Sequence, residues 1–234
     1  MVEVPELWTC RAVVFDTDGV ITDSARVHAA AWKEAFDTVP GVDPPFDEHE
    51  DYRRHVDGKA RLDGAAAFLA ARTLPADPAT VSAVAARKEA AFVRILEESG
   101  VDVYPGTVRM LTALHGAGVR CAAVSASRHA RDLLAHAGVR SLVQTVVDGN
   151  DAARLGLPGK PDPALFLEAA RRLCVPAGSA AVVEDALAGV EAGRHGGFGL
   201  VVGVDRTAGP TSAGDLLGRG ADLVVNDLAE LLGR

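Results

Sequence analysis

The stretch "RAVVFDTDGV", residues 11–20, runs an unbroken apolar segment straight into two carboxylates, Asp16 and Asp18, with Gly19 directly behind them. An apolar run without polar alternation predicts a strand covered on both faces, as in a parallel sheet packed between helices. Similar runs follow: "VRCAAVS" at 119–125, "LVQTVV" at 142–147, "AAVVED" at 180–185, "FGLVVGV" at 198–204 and "ADLVV" at 221–225. Helical spacing lies between them at 107–117, 128–137, 163–173, 186–195 and 227–232. Alternation of this kind predicts right-handed crossovers and a doubly wound α/β fold with a parallel sheet.

One segment breaks the alternation. Residues 24–100 contain "ARVHAAAWKEAF", "ARLDGAAAFLAAR" and "ATVSAVAARKEAAFVRILEESG", all with apolar residues at helical spacing and none with a strand-like run. They predict a helical cap domain inserted after the first strand, with residues 1–23 and 101–234 forming the α/β catalytic core. The stretch "GVDRTAGPTSAGD" at 203–215 reads as a surface loop.

The chain has 234 residues and a net charge of −8, which argues against a nucleic-acid or anionic-membrane surface, where a basic face is expected. Cys10, Cys121 and Cys174 are odd in number and show no metal-site spacing, which suits reduced thiols. The N-terminus reads as no signal peptide, and no apolar run approaches bilayer length. A cytoplasmic location is therefore expected. Oligomeric state is not readable, and a monomer is compatible.

In an open α/β sheet, ligands bind beyond the carboxyl ends of the strands. The first run ends in Asp16-Thr17-Asp18-Gly19 and the second in Ser125-Ala126-Ser127. The third leads to a loop carrying Lys160, and the fourth ends in Glu184-Asp185. In extended chain Asp16 and Asp18 point to one side, so they need a cation or a proton between them. An all-oxygen donor set with one neutralising lysine fits Mg²⁺, and no His/Cys cluster suggests zinc. One carboxylate could attack phosphorus while the other moves a proton. Taken singly, each piece has a plainer reading. DxDG is a turn, Ser125 a helix N-cap, Lys160 a solvated loop charge, and Glu184-Asp185 a favourable helix N-terminus. Their arrival in order at strand ends favours the catalytic reading.

Together "FDTDGV", "VSAS", "GKPDPALF" and "VVEDALAGVEAG" resemble the four motifs of the haloacid dehalogenase superfamily. Within it the closest resemblance is to the β-phosphoglucomutase family. The resemblance implies that Asp16 is the nucleophile and Asp18 the general acid/base. It implies Mg²⁺ on Asp16, the backbone carbonyl of Asp18 and Asp185, with Glu184 close by. Ser125, Ala126 and Lys160 would hold the transferring phosphoryl group, and Ser127 and Arg128 the second phosphate. In the cap, "DGVITDSARVHAAAW" places His28 and Trp32 on one helix face. "HVDGKARLDG" offers Arg61 as a phosphate ligand with Gly58 and Lys59 on the sugar side. "RKEAAF" places Lys88 where the family pairs a lysine with His28. The plainer reading of His28 and Trp32 is core packing, and of Arg61 and Lys88, solvated charge.

Two departures stand out. Thr17 replaces the leucine common between the two aspartates. Arg128-His129 stands where Lys-Asn is common, which keeps a charge but changes its hydrogen-bonding geometry. The expected activity is a Mg²⁺-dependent β-phosphoglucomutase acting on a small phosphorylated sugar. It would interconvert β-D-glucose 1-phosphate and D-glucose 6-phosphate through an aspartyl phosphate and a bisphosphate. The alternatives are a sugar-phosphate phosphatase of the same superfamily and a catalytically silent metal-binding module.

Overall fold

The computed structural model describes residues 7–206 and 212–233. Six parallel strands form one sheet: β1 (Ala12–Asp16), β2 (Arg120–Val124), β3 (Thr145–Val147), β4 (Ala180–Glu184), β5 (Leu200–Val204) and β6 (Leu223–Val225). Their order is β3-β2-β1-β4-β5-β6, so β1 is central and the chain winds outward from it in both directions. This is the expected doubly wound fold. Its switch point falls between β1 and β4, where Asp16 and Glu184 end their strands.

Side-chain alternation sends successive residues of each strand to opposite faces. Val13, Phe15, Cys121, Ala123, Ala181 and Val183 pack on one face, with Met110 and Leu111 of α4 (Pro105–Gly116) and Leu134 of α5 (Ala130–His136). Val14, Ala122, Val124 and Val182 pack on the other, with Phe166 of α7 (Ala164–Arg172) and Val190 of α8 (Leu187–His195). Both faces are dry, which explains the unbroken apolar strand sequences.

The inserted segment carries α1 (Ala25–Phe36), α2 (Arg61–Ala71) and α3 (Pro78–Ser99). Asp77 caps α3 by accepting from the amides of Ala79 and Thr80, with Pro78 in the first turn. These helices have a hydrophobic cluster of their own, built on Trp32, Phe36, Phe46, Phe68 and Leu69. A second cluster, Val27, Ala31, Ala91 and Phe92, meets Leu133 of α5 and so joins the insertion to the sheet domain. The two connecting strands of chain run side by side. Thr22 bridges Val103, and the Asp23 amide donates to the Asp102 carbonyl at 2.9 Å.

Several elements differ from expectation. Only Thr145–Val147 of the 142–147 run is a strand, because a 3₁₀ turn over Arg140–Leu142 precedes it. The loop ahead of Lys160 contains α6 (Gly149–Leu155), whose amides Asn150 and Asp151 are capped by Asp148. The 203–215 segment holds the end of β5 and the start of α9 (Ser212–Gly218); its residues 207–211 lie outside the described chain. The expected helix at 227–232 is a 3₁₀ turn, Leu228–Leu231, closed by a capping box of Asp227 and Glu230. Cys10, Cys121 and Cys174 are not joined in disulfides, and no described helix is long and apolar enough to cross a membrane.

Phe68 sits at the centre of the insertion's cluster, with ring centroids 4.1 Å from Phe36 and 5.1 Å from Phe46. It is fully buried. Phe68→Ala should cost about 3–5 kcal/mol of folding stability, read as a fall in the urea midpoint by circular dichroism.

Candidate active site

The site forms where the carboxyl ends of β1, β2 and β4 meet the underside of the helical insertion. Asp16 ends β1 and is buried. Its Oδ2 accepts from the Asp18 amide at 2.8 Å, and its Oδ1 accepts from Lys160 Nζ. Lys160 also donates to Glu184 Oε1, while Glu184 Oε2 accepts from the Ala186 amide at 2.6 Å. Both oxygens of Glu184 are thus engaged, and its carboxylate holds the lysine and the start of α8.

Burial pushes the Asp16 carboxyl well above its usual range. The Lys160 charge opposes that, and the charges of Glu184 and Asp18 add to it. Lys160 is itself fully enclosed. Burial acts to lower its pKa, yet the two carboxylates raise it above the usual lysine range and keep the ammonium charged.

Asp18 is surrounded differently. Its Oδ2 accepts from Ser125 Oγ at 2.5 Å and its Oδ1 from Ser24 Oγ at 2.6 Å. His28 Nε2 lies 3.3 Å from Oδ1 without completing a hydrogen bond. Burial pushes this carboxyl up, but His28 and the two serine hydroxyls outweigh it and hold Asp18 well below the usual carboxylate range. The hydroxyl bonds act whatever the charge on His28. Ser125 also accepts from the Ser127 amide at 2.9 Å, so its hydroxyl is committed to Asp18 in this state.

Thr17 points away from this centre. Its hydroxyl donates to the Val124 carbonyl at 3.0 Å and pins the end of β1 to the end of β2. A leucine could not make that bond, and this is the structural account of the departure.

His28 stacks on Phe92 with centroids 4.2 Å apart, and its Nδ1 is 2.7 Å from Lys88 Nζ. With the ammonium donating to Nδ1, the ring proton sits on Nε2, toward Asp18. Burial and the neighbouring Lys88 charge lower the His28 pKa. Lys88 is buried as well, and burial lowers it to about 8 against the pull of Glu89 and Asp18. Trp32 is only 4% exposed and stacks on Phe36, so it is mainly core with one edge toward the site.

A cavity of about 60 Å³ is lined by Asp16, Asp18, His28, Trp32, Lys88 and Lys160, and by Gly58, Lys59, Arg61, Ala126 and Ser127. It adjoins a second of about 380 Å³ that takes in Arg61, Lys88, Ala126, Ser127 and Arg128. The two share Arg61, Lys88, Ala126 and Ser127, so the expected site residues of both halves line adjoining cavities, except that Ser125, Glu184 and Asp185 line neither. Gly58 has φ +69°, and a Cβ there would stand 3.0 Å from the Ala186 Cβ. Glycine is what lets the insertion loop lie directly on the sheet domain.

Two oxygen-bearing groups fit a hard cation. Asp185 Oδ1 is buried with no hydrogen-bond partner. Burial, then the charges of Asp57, Glu184 and Asp16, push this carboxyl well up. Gly19 has φ +94°, and a Cβ there would stand 1.9 Å from Asp185 Oδ2, so the carboxylate rests on bare backbone at the turn after Asp18. Among the described residues no three His, Cys, Asp or Glu side chains form a ligand cluster. Asp185, with Asp16 and a backbone carbonyl such as that of Asp18, could hold such a cation. The side chains of Asp16, Asp18 and Glu184 each accept hydrogen bonds at both oxygens, so it is Asp185 that offers an unpartnered one.

Sequence reading missed four groups. Asp57 lies in the insertion loop, and burial followed by the Glu184 charge pushes its carboxyl up to about 7. Tyr52 is hydrogen bonded to it. Ser24 holds Asp18, and Glu89 joins Arg61 to His129. Asp57 directly precedes Gly58-Lys59, and Glu89 directly follows Lys88, so both were adjacent to residues already singled out.

The family model for haloacid dehalogenase-like hydrolases matches residues 10–197. The chain is 43% identical to a β-phosphoglucomutase of Mycobacterium tuberculosis, over 95% of this chain and 91% of that protein. A solved β-phosphoglucomutase from Clostridium difficile superposes with a TM-score of 0.78 at 25% identity, over 95% of this chain and 93% of the other. CbbY from Rhodobacter sphaeroides, solved in complex with xylulose-(1,5)bisphosphate, superposes with a TM-score of 0.72 at 25% identity, over 94% and 96%. With these matches spanning both the sheet and the inserted helices, the chain belongs to the haloacid dehalogenase-like hydrolase family and, within it, to the β-phosphoglucomutase family of phosphotransferring enzymes.

Proposed function

We propose that this enzyme is a β-phosphoglucomutase, interconverting β-D-glucose 1-phosphate and D-glucose 6-phosphate through an aspartyl phosphate on Asp16 and a glucose 1,6-bisphosphate. The observation that carries this reading is the shared cavity. The Asp16–Lys160 pair, the proton-handling Asp18 and the insertion's Arg61, Lys88 and His28 all line one cavity. The similarity to named β-phosphoglucomutases supports the choice of reaction. A sugar bisphosphate bound to the structurally similar CbbY supports the substrate class.

Phosphorylated Asp16 gives its phosphoryl group to a free sugar hydroxyl. Asp18, ionised in the resting state, takes that hydroxyl proton as the oxygen–phosphorus bond forms. After the bisphosphate turns over in the site, Asp16 attacks the other phosphate. Asp18 returns the same proton to the departing sugar oxygen, so a low resting pKa is no obstacle to its acid role. Lys160 steadies the Asp16 carboxylate and the transferring oxygens, with Glu184 fixing the lysine. Ser125 releases Asp18 to reach a phosphoryl oxygen, beside Ala126. Ser127, Arg128 and Arg61 hold the phosphate that is not transferring, while Gly58, Lys59, His28 and Trp32 border the sugar. Asp16, Asp185 and the Asp18 carbonyl would hold Mg²⁺, which supplies charge neutralisation for the transferring phosphoryl group.

Exclusion of water decides between transfer and hydrolysis. The same core in a looser insertion would release phosphate, which is the phosphatase reading that the family description favours.

Phosphorus NMR of the enzyme with β-glucose 1-phosphate, Mg²⁺ and a trace of bisphosphate should show glucose 6-phosphate. Inorganic phosphate without glucose 6-phosphate would overturn the mutase reading. Asp18→Asn should lower turnover roughly 10²–10⁴-fold, and Asp16→Asn should abolish it. Arg61→Ala should suppress transfer to the second position while leaving hydrolysis of small phosphate esters.

The pH dependence follows from Lys88. It carries its charge below about 8 and loses it above, so kcat/KM should fall as pH rises through that value. Lys88→Arg, charged throughout, should move the fall to higher pH in the same initial-rate assay.

A further inference from the structure

The insertion and the sheet domain are tied by a carboxylate that neither the active-site motifs nor the proposed reaction uses. Glu89 lies on α3, one residue past Lys88. Its Oε2 accepts from Arg61 Nη1 at the start of α2. Its Oε1 accepts from His129 Nε2 at 2.8 Å, across the seam in the loop between β2 and α5. His129 in turn donates its backbone amide to Ser127 Oγ at 3.2 Å, and its ring lies 5.3 Å from that of Phe92 on α3. One side chain therefore fixes Arg61 on the insertion side and, through His129, the Ser127–Arg128 turn on the sheet side.

The arrangement leaves one donor unmet. Arg61 Nε is buried without a hydrogen-bond partner. Glu89 takes only the Nη1 end of the guanidinium, and Arg61 lines both cavities together with Ser127. A buried unsatisfied guanidinium nitrogen is costly unless an anion completes it, and guanidinium offers a second edge for that contact. The pairing thus orients Arg61 and keeps a donor for an incoming anionic group. A further ion pair across the seam, Arg53 with Asp215 at 2.6 Å, involves residues that line neither of these two cavities.

We propose that Glu89 is a positioning residue that assembles the subsite for the non-transferring phosphate from two halves. Its carboxylate bridges Arg61 and His129, so Arg61 stands beside Ser127 and Arg128 only when the insertion rests on the sheet domain. The His129 that departs from the usual family residue is the sheet-side half of this bridge. The identity of the anion rests on the mutase reading; the bridge itself does not.

Two measurements separate the two claims. Small-angle X-ray scattering of the ligand-free chain reads closure alone: Glu89→Ala and His129→Ala should each enlarge the radius of gyration. Calorimetric titration with glucose 6-phosphate reads the subsite. Glu89→Ala should weaken binding about tenfold or more, and Glu89→Gln, which keeps an acceptor oxygen at the same reach, should fall between it and the natural chain. The double variant Glu89→Ala/His129→Ala should bind no worse than the weaker single variant. In turnover, KM should rise more than kcat falls, and phosphate released per glucose 6-phosphate formed should increase. Unchanged or tighter binding in Glu89→Ala would mean that the carboxylate competes with the anion, and would overturn the proposal. Multiplying losses in the double variant, or an unchanged radius in both single variants, would overturn it too. A natural chain that binds no sugar phosphate would defeat the mutase reading, and the scattering result would still decide the bridge. Glu89→Gln, nearly isosteric, keeps the test open where the alanine variant does not fold.

Discussion

The site is governed by a charge imbalance at the end of β1. Asp16 and Glu184 are buried side by side next to the half-buried Asp185, with Asp57 facing them from the insertion and Lys160 as the ammonium inserted between Asp16 and Glu184. Like carboxylates in low dielectric cannot all stay ionised unless positive charge or protons compensate. Lys160 compensates for Asp16 and Glu184 and leaves Asp185 Oδ1 without a partner. The structure thus concentrates unmatched negative charge where a phosphoryl group, itself negative, is proposed to react. A divalent cation, if bound, would resolve both problems at once, and the all-oxygen character of the remaining donors would favour a hard one.

Charge alone does not separate a mutase from a phosphatase, since both begin with attack on the same phosphorus. The difference lies in what covers the site. Gly58 lets the insertion loop rest on Ala186, and Leu133 of the sheet domain packs into the insertion's second cluster. Glu89 and His129 close the seam beside Arg61. These contacts seat the insertion over the site, and exclusion of water beneath such a cover is the condition under which a sugar hydroxyl outcompetes water.

Much of this was legible in sequence because it is local. Dry strands read as unbroken apolar runs, and functional groups at strand ends fall directly after those runs, so Asp16, Asp18, Ser125, Glu184 and Asp185 could be found from order alone. Lys160 was found by its motif. The missed elements are short or remote. Helix α6 has seven residues, opens on "GND" and so resembles a turn. Glu89 meets His129 across 40 residues, and Arg61 across 28, with no periodicity to signal either contact. Asp57 looked like one more loop carboxylate, because only packing against Glu184 and Asp185 makes it unusual. Thr17 shows the same limit: its value lies in a bond to Val124, a residue distant in sequence but next to it in the sheet.

The two aspartates, only two residues apart, belong to different parts of the molecule. The side-chain partners of Asp16, Lys160 and Lys160's other anchor Glu184, all come from the sheet domain. Two of the three groups around Asp18, Ser24 and His28, lie at the entry to the insertion and on its first helix. The insertion begins a few residues after this pair, so Asp18 is held from both sides of the seam, by Ser125 and by Ser24, while the side-chain partner of Asp16 comes from the sheet side. A displacement of α1 relative to the sheet therefore changes what surrounds Asp18 and leaves the setting of Asp16 intact. In the proposed reaction this links proton transfer to closure. The nucleophile is built whether or not the cover is seated, whereas the group that moves the proton acquires its full set of partners only when it is.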